Sequence, residues 1–268
     1  MSKNKKIYLK NGYLLIRNVF KRTFCKKLKL TASKLKPKLK IPFSSEAWGF
    51  GDVRSVKPFN ELIENNIFNK VLSELVGEDI NLSHFMLVNK AAWIGPEVEW
   101  HQEVFNRKIY APGVNMKKKW KKFIQVFIAI DEHESKNGCL KIFERSHNAG
   151  ILKYDDFINL NGSHKRRAKP DELNKLNKKY PIKEIEMKPG DVLFFNHLLV
   201  HGSSSNMSPK SRLSALLQYY DNSLVFNSKK FNEYSNFRYQ FINNWIVDFK
   251  KKLPNYKKNL RDFNKGKS

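Results

Sequence analysis

The sequence predicts a mainly β fold, a β-sandwich or jelly roll, with flanking helices. Short stretches rich in β-branched and aromatic residues recur in its central part, as is typical of strands. Turn signals such as Asn137-Gly138 and Pro189-Gly190 separate them. The chain lacks the regular alternation of strand and helix that builds parallel sheets. The clearest strand-containing stretches are "KKFIQVFIAI" (121–130), "MKPGDVLFFNHLLVHGSSSN" (187–206) and "SRLSALLQYYD" (211–221).

The N-terminal part adds one strand and two helical stretches. "NGYLLIRNVF" (11–20) begins with an Asn-Gly turn and predicts a strand. "KRTFCKKLKLTASKLKPKLKI" (21–41) is a basic helical stretch that is broken at Pro37. "FNELIENNIFNKVLSELVGEDI" (59–80) has apolar residues at helical spacing and Gly77 as a C-cap. We therefore expect this stretch to pack as a helix against the core.

We interpret residues 1–268 as a single domain. Its helical, basic N-terminal segment spans about residues 20–80, and its jelly-roll core about residues 80–222. A helical, basic tail follows at about residues 227–268. Residues 151–182 are polar and poorly patterned, and we interpret them as a long insertion or lid.

The net charge of +26 raises the question of a nucleic-acid partner. Lysine is spread along the whole chain, so the charge indicates lysine-rich background usage, with no specific nucleic-acid site. A positive field would still favour an anionic small-molecule substrate.

Cellular location is predicted from what the sequence contains. No stretch approaches the roughly 20 apolar residues that a membrane-spanning helix needs, and we recognise no signal peptide. The two cysteines, Cys25 and Cys139, are too few for a disulfide framework. We therefore expect a reducing, cytoplasmic setting.

The stretch "EWHQEVFNRK" (99–108) carries the first candidate for chemistry, His101-x-Glu103. Residues two apart on a strand point to the same face, so both side chains could bind one metal ion. Two histidines and one carboxylate form the facial triad of Fe(II) oxygenases. "HLLVHG" offers His197 or His201 as the third ligand, and the two share a strand face. We prefer His201, since it lies where the strand opens into a loop.

The chain resembles the phytanoyl-CoA dioxygenase family of iron- and 2-oxoglutarate-dependent oxygenases. Several motifs carry the resemblance, in the family's order, across roughly residues 8–222. "WHQE" is similar to its His-x-Asp motif, and "GDVLFFNHLLVHGSSSN" to its distal-histidine strand. The other pieces are "NGYLLIRNVF", "LVNK", "IAIDEHESKNGCLKIFERSH" and "SRLSALLQYY".

The resemblance implies a double-stranded β-helix, the cupin-like jelly roll, that binds Fe(II) through His101, Glu103 and His201. It implies 2-oxoglutarate and O2 as cosubstrates, with Arg212 holding the far carboxylate of 2-oxoglutarate. The expected reaction hydroxylates an unactivated C–H bond of a small molecule and releases succinate and CO2. Lys90 and Ser203 match positions that contact the cosubstrate. Gln125 and Phe127 alternate on their strand and would face the same cleft if Phe123 does, with an ordinary sandwich core as the alternative.

Glu103 departs from the family's usual aspartate, although glutamate supplies the same charge and oxygen donors. The carboxylate argues against halogenation, because related halogenases replace it with a small residue. We expect substrate specificity in residues 104–119 and 151–182. The basic residues beside the motif would suit an anionic substrate, with a solvated loop as the alternative; they are Arg107, Lys108 and Lys117–Lys119.

Two other classes of function stay open at this point. A jelly roll can hold a metal or ligand without turnover, and a basic chain can bind RNA or a membrane surface. The complete ligand set together with Arg212 disfavours the first, and the dispersed lysines disfavour the second. Surface or turn positions are expected for His84, His133, His147 and His164, and packing without catalysis for Cys139.

Overall fold

A computed structural model describes residues 1–35, 39–41, 45–48, 53, 56–93, 95–103, 123–156 and 166–221. All of them belong to one unit, Met1–Val225. The tail predicted for about residues 227–268 and the basic residues after the His-x-Glu motif lie outside the described residues. The helices are α1 Lys3–Asn11, α2 Arg22–Lys34, α3 Phe59–Ile63, α4 Asn66–Val76 and α5 Pro170–Asn177, with short 3-10 helices at Ser135–Asn137 and Ser146–Ala149. The strands are β1 Tyr13–Ile16, β2 Leu39–Ile41, β3 Ser45–Trp48, β4 Ile80–Lys90, β5 Val98–His101, β6 Phe123–Ala129, β7 Leu140–Phe143, β8 Tyr154–Asp156, β9 Arg166–Ala168, β10 Ile182–Ile185, β11 Val192–Asn196, β12 His201–Ser203 and β13 Arg212–Asp221.

Two antiparallel sheets form the body of this unit. The major sheet has seven strands in the order β1-β11-β6-β13-β4-β3-β2, and the minor sheet has four in the order β10-β7-β12-β5. A further pair, β8 and β9, forms a two-stranded sheet. Strands that neighbour each other in space come from distant parts of the chain, as in a jelly roll. The predicted mainly β jelly roll with flanking helices is confirmed.

The alternation of β6 explains how the major sheet separates two apolar layers. Ile124, Val126 and Ile128 join the core that lies under the helices. Phe127 and Ala129 point to the opposite face, into the cluster between the sheets. All seven residues of the strand are buried, because both faces of the sheet are covered.

Helices α1, α2 and α4 cover the outer face of the major sheet. Tyr8, Leu28 and Phe68 are buried in the same core cluster as the outward side chains of β6. The predicted helix over residues 59–80 is interrupted, because the side chain of Asn65 caps α4 by accepting from the Phe68 amide. Gly77 forms the C-cap of α4 as expected. Within the described part of the chain, no helix is long and apolar enough to cross a membrane.

Two parts of the fold were not anticipated: the helix before the first strand and the ordered elements within the predicted insertion. Helix α1 precedes the first strand. The Ser2 side chain caps its N-terminus by accepting from the Lys5 amide, and Gly12, at φ +84°, caps its C-terminus. The segment predicted as an insertion contains the β8–β9 pair and α5. The apolar residues of this segment pack on the outer face of the minor sheet; they include Leu152, Ala168, Leu176 and Tyr180, which join Phe143 and Val200.

Candidate metal and cosubstrate site

Two histidines meet where adjacent strands of the minor sheet end. His201, the first residue of β12, pairs directly with His101, the last residue of β5. Their ring centroids are 4.1 Å apart, and both side chains are buried. The antiparallel register therefore brings together side chains that are 100 positions apart in the sequence.

Glu103 completes the group from outside the strand. Because β5 ends at His101, the expectation that both residues share one strand face is wrong in detail. The Glu103 amide instead donates to the His197 carbonyl at 2.9 Å, which fixes the backbone beyond the strand. The Glu103 Oε1 atom then lies 3.6 Å from His101 Nε2 and 3.4 Å from His201 Nε2.

The two imidazole rings are oriented by backbone carbonyls of their own strands. His101 Nδ1 lies 2.7 Å from the Glu99 carbonyl, and His201 Nδ1 lies 2.9 Å from the Leu199 carbonyl. A carbonyl can only accept, so each Nδ1 carries a proton, and each Nε2 faces Glu103, with its lone pair directed there when the ring is neutral.

Electrostatics favour the metal-binding protonation states of His101 and Glu103. Burial, followed by the charge of His201, lowers the pKa of His101. Burial alone would raise the pKa of Glu103, but hydrogen bonds and charges from the two histidines hold it well below its usual value. A neutral His101 imidazole and a Glu103 carboxylate are therefore available near neutral pH.

The donor set fits a divalent transition metal. One potential ligand atom from each of His101, Glu103 and His201 lies within 4.8 Å of the other two. Two histidines and one carboxylate occupy one face of an octahedral ion and leave its other positions open, as in non-haem Fe(II) enzymes. His197 lies outside this group, with its Nε2 atom 3.2 Å from Gln218 Nε2. Burial lowers the pKa of His197 to about 4, so this histidine is neutral.

Two buried cations form a second part of the site. Lys90 on β4 pairs directly with Arg212 on β13, and the two residues are 3% and 4% exposed. Lys90 Nζ donates to Ser203 Oγ at 2.8 Å and to the Ser204 carbonyl at 2.6 Å. Arg212 donates to the Gly138 carbonyl. Because Ser203 belongs to the strand that begins at His201, this cation pair is linked to the metal group.

Among the residues described, Glu97 and Asp131 act on the cation pair only from beyond ion-pair distance. Neither cation forms an ion pair with a carboxylate there, and the Arg212 Nε atom has no hydrogen-bond partner. Burial, followed by the charge of Arg212, lowers the pKa of Lys90 well below its usual value. Burial also lowers the pKa of Arg212 to about 10. Two like charges held this way favour binding of an anion.

Phe127 and Gln125 lie on the face of β6 that points into the space between the sheets. The Phe127 ring lies 5.7 Å from the Arg212 guanidinium carbon. Phe123, on the same face, has its ring 5.1 Å from the His197 ring. Gln125 is buried, and its Oε1 atom has no partner among the described groups.

His133 is buried beside the cation pair, so its expected surface or turn position is wrong. It is 1% exposed, its Nε2 atom lies 3.2 Å from Ser214 Oγ, and its ring is 5.2 Å from that of Phe127. Burial, followed by the charge of Arg212, holds its pKa well below the usual value. The only sequence signal was its position just after the apolar strand β6.

Among the described side chains, no other histidine belongs to the metal group. His147 is half-buried in a 3-10 helix, and its Nε2 atom lies 3.0 Å from the Leu9 carbonyl. His84 lies within strand β4 and not in a turn. His164 is outside the described residues. Cys139 is buried, as expected for a packed thiol.

Several solved structures have a similar fold. EctD from S. alaskensis, crystallised with 2-oxoglutarate and 5-hydroxyectoine, has a TM-score of 0.66 and 19% identity, over 85% of this chain and 78% of that one. The epimerase SnoN, with Fe3+, α-ketoglutarate and nogalamycin RO, has a TM-score of 0.63 and 14% identity, over 84% of each chain. HygX from Streptomyces hygroscopicus, with nickel, 2-oxoglutarate and hygromycin B, has a TM-score of 0.61 and 12% identity, over 83% and 88%.

The sequence comparison identifies the family directly. No curated protein matches the chain. The sequence model of the phytanoyl-CoA dioxygenase (PhyH) family, however, matches residues 8–214, which is more than half of the chain and includes all three residues of the metal group and both buried cations. The protein therefore belongs to the phytanoyl-CoA dioxygenase (PhyH) family.

Proposed function

We propose that this protein is an Fe(II)- and 2-oxoglutarate-dependent dioxygenase that hydroxylates an unactivated C–H bond of a small-molecule metabolite. Succinate and CO2 are the coproducts. The observation that carries the proposal is the combination of a His-Glu-His group with a buried cation pair linked to it through Ser203. A metal group alone or a buried cation alone would suit many functions, but together they match a metal and a dicarboxylate.

His101, Glu103 and His201 would hold the iron on one face. When bound, iron with 2-oxoglutarate and O2 supplies the oxidising power for C–H hydroxylation. The role of the three residues is to keep two neutral nitrogens and one carboxylate oxygen directed at one point. The carbonyls of Glu99 and Leu199 maintain this by fixing the imidazole tautomers.

Arg212 and Lys90 would hold the far carboxylate of 2-oxoglutarate. A guanidinium pairs with a carboxylate through two parallel hydrogen bonds, and the unpartnered Nε atom of Arg212 is available for one of them. Lys90 Nζ and the Ser203 hydroxyl, 2.8 Å apart, would supply further donors. The anion would offset the cost of two buried like charges.

Phe127 and Gln125 would line the cosubstrate side of the cleft. Phe127 packs over the guanidinium of Arg212 and excludes water from it, which strengthens each electrostatic contact there. Gln125 has an unused acceptor that a donor of a bound molecule would satisfy. The 2-oxoglutarate bound in EctD and HygX supports this assignment of the pocket.

The test measures conversion of 2-oxoglutarate to succinate with Fe(II) and O2, across a panel of small metabolites. We expect turnover by the wild type and none above background for His101→Ala. Arg17→Ala is a matched control, because Arg17 is a partly exposed arginine paired with Asp191 away from the metal group. Failure of the wild type to form succinate with any substrate would contradict the proposal.

A second measurement separates hydroxylation from other outcomes. Among the similar structures, SnoN is an epimerase, so 2-oxoglutarate consumption alone does not define the product. Hydroxylation predicts that the substrate gains one oxygen atom, which derives from isotopically labelled O2 in mass spectrometry. Succinate formation with a product of unchanged mass would indicate epimerisation. Metal and 2-oxoglutarate binding without any turnover would favour the alternative of a non-catalytic binding protein.

A further inference from the structure

Gln102, the residue between the first two metal ligands, makes four side-chain hydrogen bonds. Its side chain is completely buried. The Nε2 group donates to the Gly150 carbonyl at 2.8 Å and to the Leu198 carbonyl at 2.7 Å. The Oε1 atom accepts from the Leu152 amide at 3.1 Å and from the Tyr154 hydroxyl at 2.7 Å.

Only an amide meets these four demands at once. Two partners are carbonyl oxygens, which need donors, and two are an N–H and an O–H group, which need acceptors. Glutamate would place an oxygen against the two carbonyls, and methionine would leave all four groups without partners. A buried polar group without a partner carries a substantial free-energy cost, so this position is far more restricted than an ordinary surface position between two ligands.

One of the four bonds joins the two segments that carry the metal ligands. Leu198 lies three residues before His201, and the neighbouring His197 carbonyl accepts from the Glu103 amide. Residues 101–103 are therefore fastened to 197–201 at three consecutive positions: the His101–His201 register pair, the Gln102 side chain and the Glu103 backbone. The other bonds of Gln102 reach residues 150–154, which lead into strand β8.

We propose that Gln102 is a positioning residue for the metal group, one that sets the geometry of His101 and Glu103 relative to His201. This inference rests on the metal site of the proposed function. Glu103 lies beyond the end of β5, so the Gln102 side chain and the bond from the Glu103 amide to the His197 carbonyl would position it together.

The experiment measures Co(II) affinity by calorimetry, together with the visible spectrum of the bound Co(II), which reports ligand geometry. Removal of groups that orient metal ligands lowers affinity by about 10- to 100-fold, so Gln102→Met should raise the Kd by at least about tenfold and change the spectrum. Tyr154→Phe removes one of the four bonds and should give a smaller rise.

Gln102→Glu separates positioning from charge. An extra carboxylate beside a cation would tighten Co(II) binding if charge alone mattered, whereas loss of both donors should weaken it. Leu72→Ala is the stability control, because Leu72 is buried on α4 in the core under the helices. It should lower the Tm and leave the Kd and spectrum unchanged.

Tighter binding by Gln102→Glu, or a Gln102→Met Kd within about twofold of the wild type, would overturn the proposal. If neither Gln102 variant folds, Tyr154→Phe decides, and an unchanged Kd and spectrum would then count against it. None of these measurements needs turnover. A wild type that binds Co(II) and forms no succinate therefore contradicts the dioxygenase function and leaves the role of Gln102 intact.

Discussion

Arg212→Met should weaken 2-oxoglutarate binding strongly without weakening the fold. The side chain is buried beside Lys90 and has no carboxylate partner among the described residues, so its charge opposes folding until an anion binds. An ordinary buried side chain behaves differently, because its truncation costs stability. Arg212→Met should therefore weaken 2-oxoglutarate binding without lowering stability, a combination that truncation of an ordinary buried side chain would not give.

The magnitudes follow from the contacts. Hydrogen bonds to charged groups contribute about 1.5–3 kcal/mol each, so loss of a bidentate contact should raise the Kd of 2-oxoglutarate by roughly 100-fold or more. Burial lowers the pKa of Arg212 from 12.5 to about 10, which corresponds to roughly 3 kcal/mol of destabilisation of the charged form. Arg212→Met removes this destabilisation, but it also removes the hydrogen bond to the Gly138 carbonyl, which costs about 1–3 kcal/mol of stability.

Calorimetry with Co(II)-loaded protein under anaerobic conditions gives the Kd, and urea unfolding without 2-oxoglutarate gives the free energy of unfolding. We expect the free energy of unfolding of Arg212→Met to equal that of the wild type or to be up to about 2 kcal/mol higher. Arg212→Lys keeps the charge and loses the planar fork, so it should fall between the wild type and Arg212→Met in affinity. Wild-type affinity in Arg212→Met would refute the assignment of this pocket to the cosubstrate.

Three further predictions concern the metal group, the buried histidine and the core. Glu103→Asp should still bind metal but raise the Co(II) Kd by roughly tenfold. Glu103 reaches the histidines from beyond the end of the strand, and the shorter aspartate side chain would not reach as far. An unchanged Kd in calorimetry would contradict this. His133 is neutral in the folded protein, whereas in the unfolded chain it takes up a proton near its ordinary pKa of 6.5. It therefore contributes stability above pH 6.5, and this contribution is lost as the pH falls toward the lower pKa of the folded state. His133→Gln should therefore lose less unfolding free energy than the wild type between pH 7 and pH 5. The difference should grow by up to about 1.4 kcal/mol for each pH unit below the unfolded pKa. Urea titrations that give the same pH profile for both proteins would contradict this. Phe68→Ala, in the core under the helices, should lower the free energy of unfolding by about 3–5 kcal/mol and leave the Co(II) Kd unchanged.

The sequence was sufficient to predict the fold and to single out the residues that the structure brings together. Strand patterns and turn signals are local, so the jelly roll followed from them. His101 stood out through the His-x-Glu spacing and His201 through its place at a strand end, whereas Arg212 came from the resemblance to the phytanoyl-CoA dioxygenase family. The choice between His197 and His201 was open by strand parity. In the register of β12 against β5, His201 lies directly opposite His101, so His201 and not His197 is the histidine that meets His101.

Other features depended on contacts that no local pattern encodes. Glu103 lies beyond β5 because a carbonyl 94 positions away in the sequence accepts its amide hydrogen. The burial of His133 depends on Phe127 and Ser214, which belong to two different strands. Gln102 resembled any polar residue between two ligands until its four partners were known. In each case the decisive partner is distant in sequence, so only the tertiary structure reveals it.

The buried charge also changes how the strongly basic composition bears on the substrate. A metal dication with Glu103 carries one net positive charge, and Arg212 with a protonated Lys90 adds two more next to it. A dicarboxylate cosubstrate would compensate most of this charge without any contribution from the substrate. The positive charge in the described part of the site therefore accounts for 2-oxoglutarate, and it gives no independent reason to expect an anionic substrate. A preference for anions would have to come from residues beyond this pocket, such as the lysines that follow the His-x-Glu motif in the sequence.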